Sequence, residues 1–488
     1  MHGKLIRTVY AGAQTDYFVG NPESKYFSAV YKIPTVFQLQ TQPIIYNEAV
    51  DWGASLMADI PQYGDLLYSC FAYFRLPDIP RKFVNISGVG EIDIYRDFIY
   101  PNSTGHSMIE YVRLWAGEKI IEEHTDVFLE AYDELHSPKQ LGDNILMRKN
   151  MSTYPEDPFI IYKLGMDLYI PLRFWFCNNF VSALPLCATR YTQFRIQIGL
   201  KRFENFIYEK DMLSQAEAAA ITGEFIQNVN PITYLSKKYY NEAGREVTRE
   251  QFLVNMRRAT GIVEGFLLGD FIQVSKEEQL AFTNNLLEYR VPIYKVEKPV
   301  VIKYNPSQRL RMRFTNPTSE LLWCYTPAVN QFYNNHFNFT RFAVDPVFFQ
   351  PIHPDSTSKH SAFFDLDYEP LNRCTILYNN LVRVSQDAQF YRICQPFDKC
   401  HLVPSENKYV YSYHFGMDGE SPYPTGTSNM DLIDNVEFDM EMNAPTKFEL
   451  VLTKTNELLP YPETYFRAFS RTWNVLTFLG GYASFLFT

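Results

Sequence analysis

Nine histidines and seven cysteines are the residues of this 488-residue chain best suited to metal or nucleophilic chemistry, and their spacing decides which chemistry is open to them. A metal held in a β scaffold needs several imidazoles and a carboxylate converging from adjacent strands. Zinc favours cysteine pairs two to four residues apart, completed by two further ligands. No His-x-His pair occurs, and the nearest spacings are His124 with His136 and His353 with His360. Cys394-x5-Cys400-His401 brings soft ligands together, but at too wide a spacing and without a fourth ligand. The cysteines are expected in the core or in loops, and the histidines in surface or capping roles.

Other chemistries find less support. There is no Gly-rich Lys-Ser/Thr phosphate loop, no Gly-x-Ser-x-Gly elbow and no His-Glu-x-x-His helix; Gly88-x-Gly90 and Gly480-Gly481 read as turns. The acidic runs Glu130 to Glu134 and Glu437 to Glu441 could supply paired carboxylates, but a solvated face or an interface rim is the expected role. Arg309, Arg311 and Arg313 alternate along a strand and, with Arg257-Arg258, are candidates for subunit contact. Four sequons begin at Asn85, Asn102, Asn150 and Asn338. No catalytic residue, metal ligand or cofactor is assigned.

The length predicts two domains if both are β-rich. Aromatic residues make up 16% of the chain, a composition that favours strands. The net charge of -10 argues against direct nucleic acid binding, which draws on clustered Lys and Arg. The odd number of scattered cysteines fits a reducing compartment, and the opening Met1 to Arg7 does not develop into a signal peptide. The apolar segment Trp473 to Phe487 is too short, and too interrupted by Gly480-Gly481, to read as a membrane span.

Alternation or short β-rich runs predict strands at Ala54–Ile60, Leu67–Leu76, Asp167–Phe176 and Tyr191–Leu200. In the second half they predict Leu310–Thr315, Leu381–Val384, Tyr409–Phe415, Val436–Met442 and Phe448–Thr453. Three helices are expected. Thr125–His136 has Thr125 as N-cap, Asp211–Phe225 is rich in Ala and Glu, and Ser275–Asn285 carries a capping box of Ser275 and Glu278. The last, between the apolar run Gly265–Val274 and the extended Leu287–Val301, looks like a joint between two β domains. Lys201–Gly261 and Val329–Phe364 read as long loops.

The segment Tyr10-Ala11-Gly12-Ala13-Gln14-Thr15-Asp16-Tyr17-Phe18-Val19-Gly20-Asn21-Pro22, followed by Tyr26-Phe27 and Tyr31, resembles the opening of major capsid proteins of nucleocytoplasmic large DNA viruses. Further stretches fall in that family's order: Gly64-Asp65-Leu66-Leu67, Ala183-Leu184-Pro185-Leu186 before Tyr191, and Asn474-Val475-Leu476 with Gly480-Gly481. Weaker matches are Gly117 to Ile121, Asp270 to Ile272 and Phe314 to Thr318, so the resemblance spans nearly the whole chain. Pro34 and the aromatic end Phe485-Leu486-Phe487 depart from the pattern.

The resemblance implies an all-β protein of two consecutive eight-stranded antiparallel jelly rolls, with a few short helices in loops and at the joint. The expected layout is an N-terminal arm over 1–24, a first jelly roll over 25–274 with an insertion around 201–261, a helical linker over 275–286, and a second jelly roll over 287–488 with a long loop around 329–364. It also implies a non-enzymatic role: a homotrimer of pseudo-hexagonal outline that tiles an icosahedral shell. The partners implied are neighbouring capsomers and minor capsid proteins, with an inner membrane apposed but not spanned, in a virion assembled in host cytoplasm. Gly12, Gln14, Asp16, Tyr17, Gly20, Asn21 and Pro22 are the candidate assembly-arm residues, on their loop-like content. The alternatives are a minor capsid or scaffold protein of the same fold, and a carbohydrate-binding or metal-dependent jelly-roll enzyme. Glycan attachment through 329–364 would be compatible with the capsid role.

Overall fold

The computed structural model describes residues 35–86, 90–137, 146–149, 162–209, 238–302, 307–327, 334–339, 369–405, 408–443 and 464–487. Outside these lie the seven arm residues from Gly12 to Pro22, the helix expected at Asp211–Phe225, the strand expected at Phe448–Thr453 and most of the 329–364 loop.

Eight long strands occur before residue 275: β1 (Phe37–Ile44), β2 (Ser55–Asp59), β3 (Leu66–Leu76), β4 (Ile109–Ala116), β5 (Lys119–Thr125), β6 (Met166–Pro171), β7 (Phe194–Leu200) and β8 (Glu264–Val274). Helix α1 (Asp126–His136) follows β5 and α2 (Arg249–Ala259) precedes β8; α3 (Lys276–Asn284) comes next. Among the described residues, eight more long strands follow α3, with short ones beside them: β9 (Leu287–Val296), β10 (Ser307–Met312), β11 (Pro317–Pro327), β12 (Leu371–Tyr378), β13 (Leu381–Asp387), β14 (Val410–His414), β15 (Val436–Met442) and β16 (Thr464–Leu479). A helical stretch, Phe390–Cys394 continuing as α4 (Gln395–Cys400), lies between β13 and β14.

The sheets of the first set run β1-β8-β3-β6 and β2-β7-β4-β5; those of the second run β9-β16-β11-β14 and β10-β15-β12-β13. Adding eight to each number of the first set gives the second. Two four-stranded sheets in this order make a jelly roll, so the fold is two jelly rolls in tandem. The repeat includes the helix after the fifth strand, α1 in one roll and Phe390–Cys400 in the other. Halves too diverged to align by eye thus share one connectivity.

Each roll buries the inner faces of its sheets. In the first, Leu56 and Ala58 of β2, Val112 and Leu114 of β4 and Ile196 and Ile198 of β7 alternate inward. In the second, Trp323 of β11 is fully buried, stacks on Tyr411 of the neighbouring β14 at 5.8 Å and meets Phe438 of the opposing sheet at 5.5 Å. The Gly64-Asp65 phrase lies at the joint: the Asp65 carboxylate accepts from the Val274 amide at 3.0 Å and from Gln279 at 2.8 Å. Ser275 caps α3, accepting from the Glu278 amide at 3.3 Å.

Four expectations need correction. The strand expected at Asp167–Phe176 ends at Pro171, and Trp175–Asn178 forms a helical turn. A strand would send Phe174, Trp175 and Phe176 to alternate faces, whereas here all three are buried. The strand expected from Tyr191 begins at Phe194, because the Tyr191 amide donates to the Gly481 carbonyl and Thr192 accepts from Ala483. Lys201–Gly261, read as a long loop apart from the helix expected at Asp211–Phe225, holds α2, capped by Thr248 and burying Phe252, Leu253 and Met256, where no helix was expected. Leu310–Thr315 shifts to Ser307–Met312. The apolar C-terminal run is β16 with the paired strand Tyr482–Phe485, turned at Gly480 and Gly481 with φ of 60° and 88°. Among the described residues, no helix is long and apolar enough to cross a membrane.

Candidate functional site

The functional question for such a fold is how its two rolls are fixed to one another, and α1 is where the described chemistry gathers. Thr125 starts the helix by accepting from the Phe128 amide, and Asp126 sits in its first turn. Every residue from Val127 to Leu135 is buried. The apolar side presents Phe128 to Tyr294 at 4.9 Å and to Phe469 at 5.4 Å, both in the second roll. The helix belongs by sequence to the first roll and packs into the second.

Its carboxylates correct the expectation of a solvated face. Glu130 is 0% exposed, and Asp133 and Glu134 are also buried. A bare carboxylate in such a place costs several kcal/mol, so each must be matched. Glu130 accepts from Ser103 at 3.0 Å and lies 2.8 Å from His106 Nδ1, 3.3 Å from Lys149 Nζ and 2.9 Å from Lys408 Nζ. Glu134 lies 2.6 Å from Lys149 and accepts from the Ser405 amide at 2.8 Å; Asp133 takes Arg173 at 2.8 Å. Burial pushes the Glu130 carboxyl up, but Lys149, then Lys408 and His106, outweigh it and hold it well below the usual carboxylate range. Lys408 and Ser405 are second-roll residues, so this network crosses the seam.

A second cluster lies where α1 ends. His136 Nε2 is 3.1 Å from Glu320 Oε1 on β11, and His414 Nε2 on β14 is 3.3 Å from the same oxygen and 3.5 Å from Cys400 Sγ at the end of α4. Glu320 and His414 are cross-strand partners, which fixes their side chains on one face. Burial raises the Glu320 carboxyl, but His136 and His414 reverse this and bring it down to about 2. Burial opposes charge on His136 as well, yet Glu320 and Cys400 lift it well above its ordinary value. Burial raises the Cys400 thiol, and His136 and His414 more than offset that, leaving it lowered.

The structure therefore divides the sequence candidates. Of Cys394, Cys400 and His401, only Cys400 is buried; Cys394 and His401 face solvent. His124, paired in sequence with His136, is instead stacked beside Phe128 and Phe174 and bonded to Glu122. His106, His124, His136 and His414 are all inside, contrary to a surface role. Sequence reasoning missed Glu320 and His414 altogether. Among the described residues, His136, Glu320 and Cys400 form the group whose ligand atoms lie within 4.8 Å of one another.

The remaining candidates sort by exposure. Arg309 pairs with Glu437 at 2.5 Å within its own sheet, and Arg257 with Asp51 at 2.6 Å, so both are engaged inside the chain. Asn102 and Asn338 are buried, which leaves Asn85 exposed among the described sequons.

Two family descriptions match the chain: "Large eukaryotic DNA virus major capsid protein" over residues 278–484, and "Major capsid protein N-terminus" over 25–237. "Probable capsid protein 4" of Acanthamoeba polyphaga mimivirus is 19% identical, with 91% of this chain and 93% of the relative covered. The "Major capsid protein" of Paramecium bursaria Chlorella virus 1 is 22% identical over 99% of this chain and 98% of its own. Among solved structures, that of PBCV-1 VP54 fitted into a reconstruction of the virophage Sputnik superposes with a TM-score of 0.66 at 18% identity, covering 95% of this chain and all of that one.

Proposed function

Because the chain belongs to the major capsid protein family of large eukaryotic DNA viruses, and its place is the virion capsid, we propose that it acts as a homotrimer whose six jelly rolls make a pseudo-hexagonal capsomer. One observation carries this reading. Within the chain, β5, the edge strand of the first roll, packs against β9, the edge strand of the second, and the Tyr294 amide of β9 donates to Glu122 of β5 at 3.0 Å.

The repeat defines the equivalents of both partners, β13 for β5 and β1 for β9. Both equivalents carry exposed apolar side chains among the described residues. On β13, Leu381 and Val382 are 75% and 63% exposed; on β1, Leu39 is 51% exposed. Exposed apolar edge strands call for a partner. If β13 of one chain meets β1 of the next as β5 meets β9, the contact is head-to-tail and closes a ring. Two rolls per chain and three chains give six near-equivalent seams.

In the same reading, residues 25–274 and 287–488 are the two roll units joined at 275–286. The arm residues Gly12, Gln14, Asp16, Tyr17, Gly20, Asn21 and Pro22 reach neighbouring capsomers or minor capsid proteins. Assembly proceeds in host cytoplasm beside an inner membrane that the chain does not span. No catalytic role is proposed, and the net charge of -10 favours packaging without direct nucleic acid contact. Mass photometry with negative-stain microscopy of the purified chain tests the proposal. Trimers of hexagonal outline are expected; a stable monomer or dimer at micromolar concentration refutes it.

A further inference from the structure

We infer that Cys70 and Cys177 are a thiol pair that closes to a disulfide when the chain passes from a reducing to an oxidising medium, stapling β3 to the helical turn that follows β6. The path of the chain brings the two together. β6 ends at Pro171, opposite Phe71 of β3, and the Leu172 amide donates to the Cys70 carbonyl at 3.0 Å. The turn Trp175–Asn178 then packs against β3, with the Cys177 amide donating to the Phe174 carbonyl at 2.9 Å. The Cys70 and Cys177 side chains are hydrogen-bonded to one another. Thiols in that contact stand within reach of a sulfur–sulfur bond of about 2.05 Å.

Exposure sets this pair apart from the remaining cysteines. Cys70 is 1% exposed and Cys177 half-buried, so one thiol meets a solvent oxidant and the fold supplies the other. Cys394 also faces solvent, but its neighbour in sequence, Cys400, is buried against His414 at 3.5 Å. Cys187 is half-buried too, and burial, then Asp65, push its thiol up to about 11. A thiol held protonated in this way is a poor nucleophile.

The oxidant required is a small-molecule disulfide such as oxidised glutathione. The Cys177 thiolate attacks one of its sulfurs and expels a thiolate; Cys70, deprotonated in turn, attacks the Cys177 sulfur and expels the second. Two protein thiols are thereby oxidised to one disulfide while one disulfide is reduced to two thiols, and the two protons pass through solvent to the thiolates released. The hydrogen bond to Cys177, then burial, raise the Cys70 thiol, so the ring closes slowly. The reduced pair persists during synthesis in the cytoplasm proposed above. The bond, once made, ties a central strand of the β1-β8-β3-β6 sheet to a turn that also packs against β9 of the second roll. Closing a loop of about 100 residues restricts the unfolded chain and so favours the folded one.

The test uses the full-length chain, purified with reductant and then equilibrated with oxidised glutathione. Its intact mass should fall by about 2 Da as two thiols become one disulfide, and peptide mapping should join Cys70 to Cys177. Cys394→Ser, which removes the exposed thiol, should behave identically, and Cys177→Ser should show no mass loss. Oxidation should raise the Tm of the unaltered chain by about 2–4 °C, leave that of Cys177→Ser unmoved, and be reversed by reductant. Because the bond lies within one chain, monomer and trimer should give the same result, so it stands or falls separately from the capsomer. Both thiols still open to alkylation after the oxidised chain is unfolded, a glutathione adduct on Cys177 that never resolves, or either cysteine bridged to a different one would overturn the pair. A Cys70–Cys177 bond with no rise in Tm would overturn the staple.

Discussion

Replacing Glu130 by Gln removes one charge from the seam while keeping the side chain's shape. In the native chain this carboxylate faces Lys149 at 3.3 Å, Lys408 at 2.9 Å and His106 at 2.8 Å. After Glu130→Gln, Lys149 still has Glu134 at 2.6 Å, but Lys408, buried, loses its anionic partner and keeps, among the described residues, the Phe337 carbonyl at 2.9 Å and the nearby rings of Phe337 and Phe339. Breaking a buried ion pair by removing one partner costs about 3–5 kcal/mol. With an unfolding entropy of about 2.1 cal/mol/K per residue, a chain of this length unfolding as one unit has an entropy on the order of 1 kcal/mol/K, so Tm should fall by about 3–5 °C.

Calorimetry at fixed protein concentration measures the shift, and urea unfolding gives the free energy. Lys408→Met in the same chain removes the stranded cation, so the double variant should lose less than the sum of the single losses. The pH dependence has a definite sign. The folded-state pKa of Glu130 is depressed, so its contribution is present above the unfolded value of about 4.3 and is lost as pH falls below it. The stability gap between the native chain and Glu130→Gln should therefore narrow from pH 6 to pH 3.5. A gap under about 0.5 kcal/mol at pH 7, or strict additivity with Lys408→Met, refutes the account of the seam as a matched ionic network.

Two further outcomes follow from other parts of the molecule. Thr125→Ala removes the hydroxyl that accepts from the Phe128 amide at 3.4 Å and should lower stability by about 1 kcal/mol in urea unfolding, with the oligomer unchanged by mass photometry; a loss below about 0.3 kcal/mol would show that burial alone holds the helix start. Leu381→Lys places a charge on the uncovered edge of β13 and should leave the monomer's unfolding curve within about 0.5 kcal/mol of the original while weakening trimers at least tenfold by sedimentation. Unchanged trimers would place the seam elsewhere.

How much of this was legible in the sequence depended on whether a feature is local. Val436–Met442 alternates Val, Phe and Met with acidic residues and is a strand over that same span, because alternation is a two-residue property. Thr125 and Ser275 announced their helices for the same reason, since a cap acts within three residues. The strand expected at Asp167–Phe176 failed where three consecutive aromatics all needed burial, a demand set by the core and not by the local pattern. The acidic residues of α1 looked solvent-facing because their neutralising partners are remote: Lys408 is supplied by the other roll. His136 and Glu320 are 184 residues apart, so the cluster had no spacing to recognise, and Cys400 suggested a partner in Cys394 that points the other way. The tandem repeat was hidden likewise, since connectivity leaves no mark in composition.

The two kinds of seam in the proposed capsomer face opposite constraints, and the residues on them differ accordingly. The seam within the chain forms once, during folding, and never has to exist open in water. It can therefore hold buried charge, whose partners are brought together by the same collapse that dehydrates them, and an ionic network misaligned by one strand would leave a carboxylate bare at a cost of several kcal/mol. The edges β1 and β13 must stay soluble until another folded chain arrives. Buried charge is unusable there, because each half would be hydrated alone and would resist dehydration on docking. Those edges instead expose Leu39, Leu381 and Val382, with Arg383 placed between Val382 and Val384 on the free strand, where a charge discourages indiscriminate edge pairing. On this reasoning register is fixed inside the chain by electrostatics and closure between chains is driven by apolar burial, so high salt should weaken neither the seam around Glu130 nor the trimer.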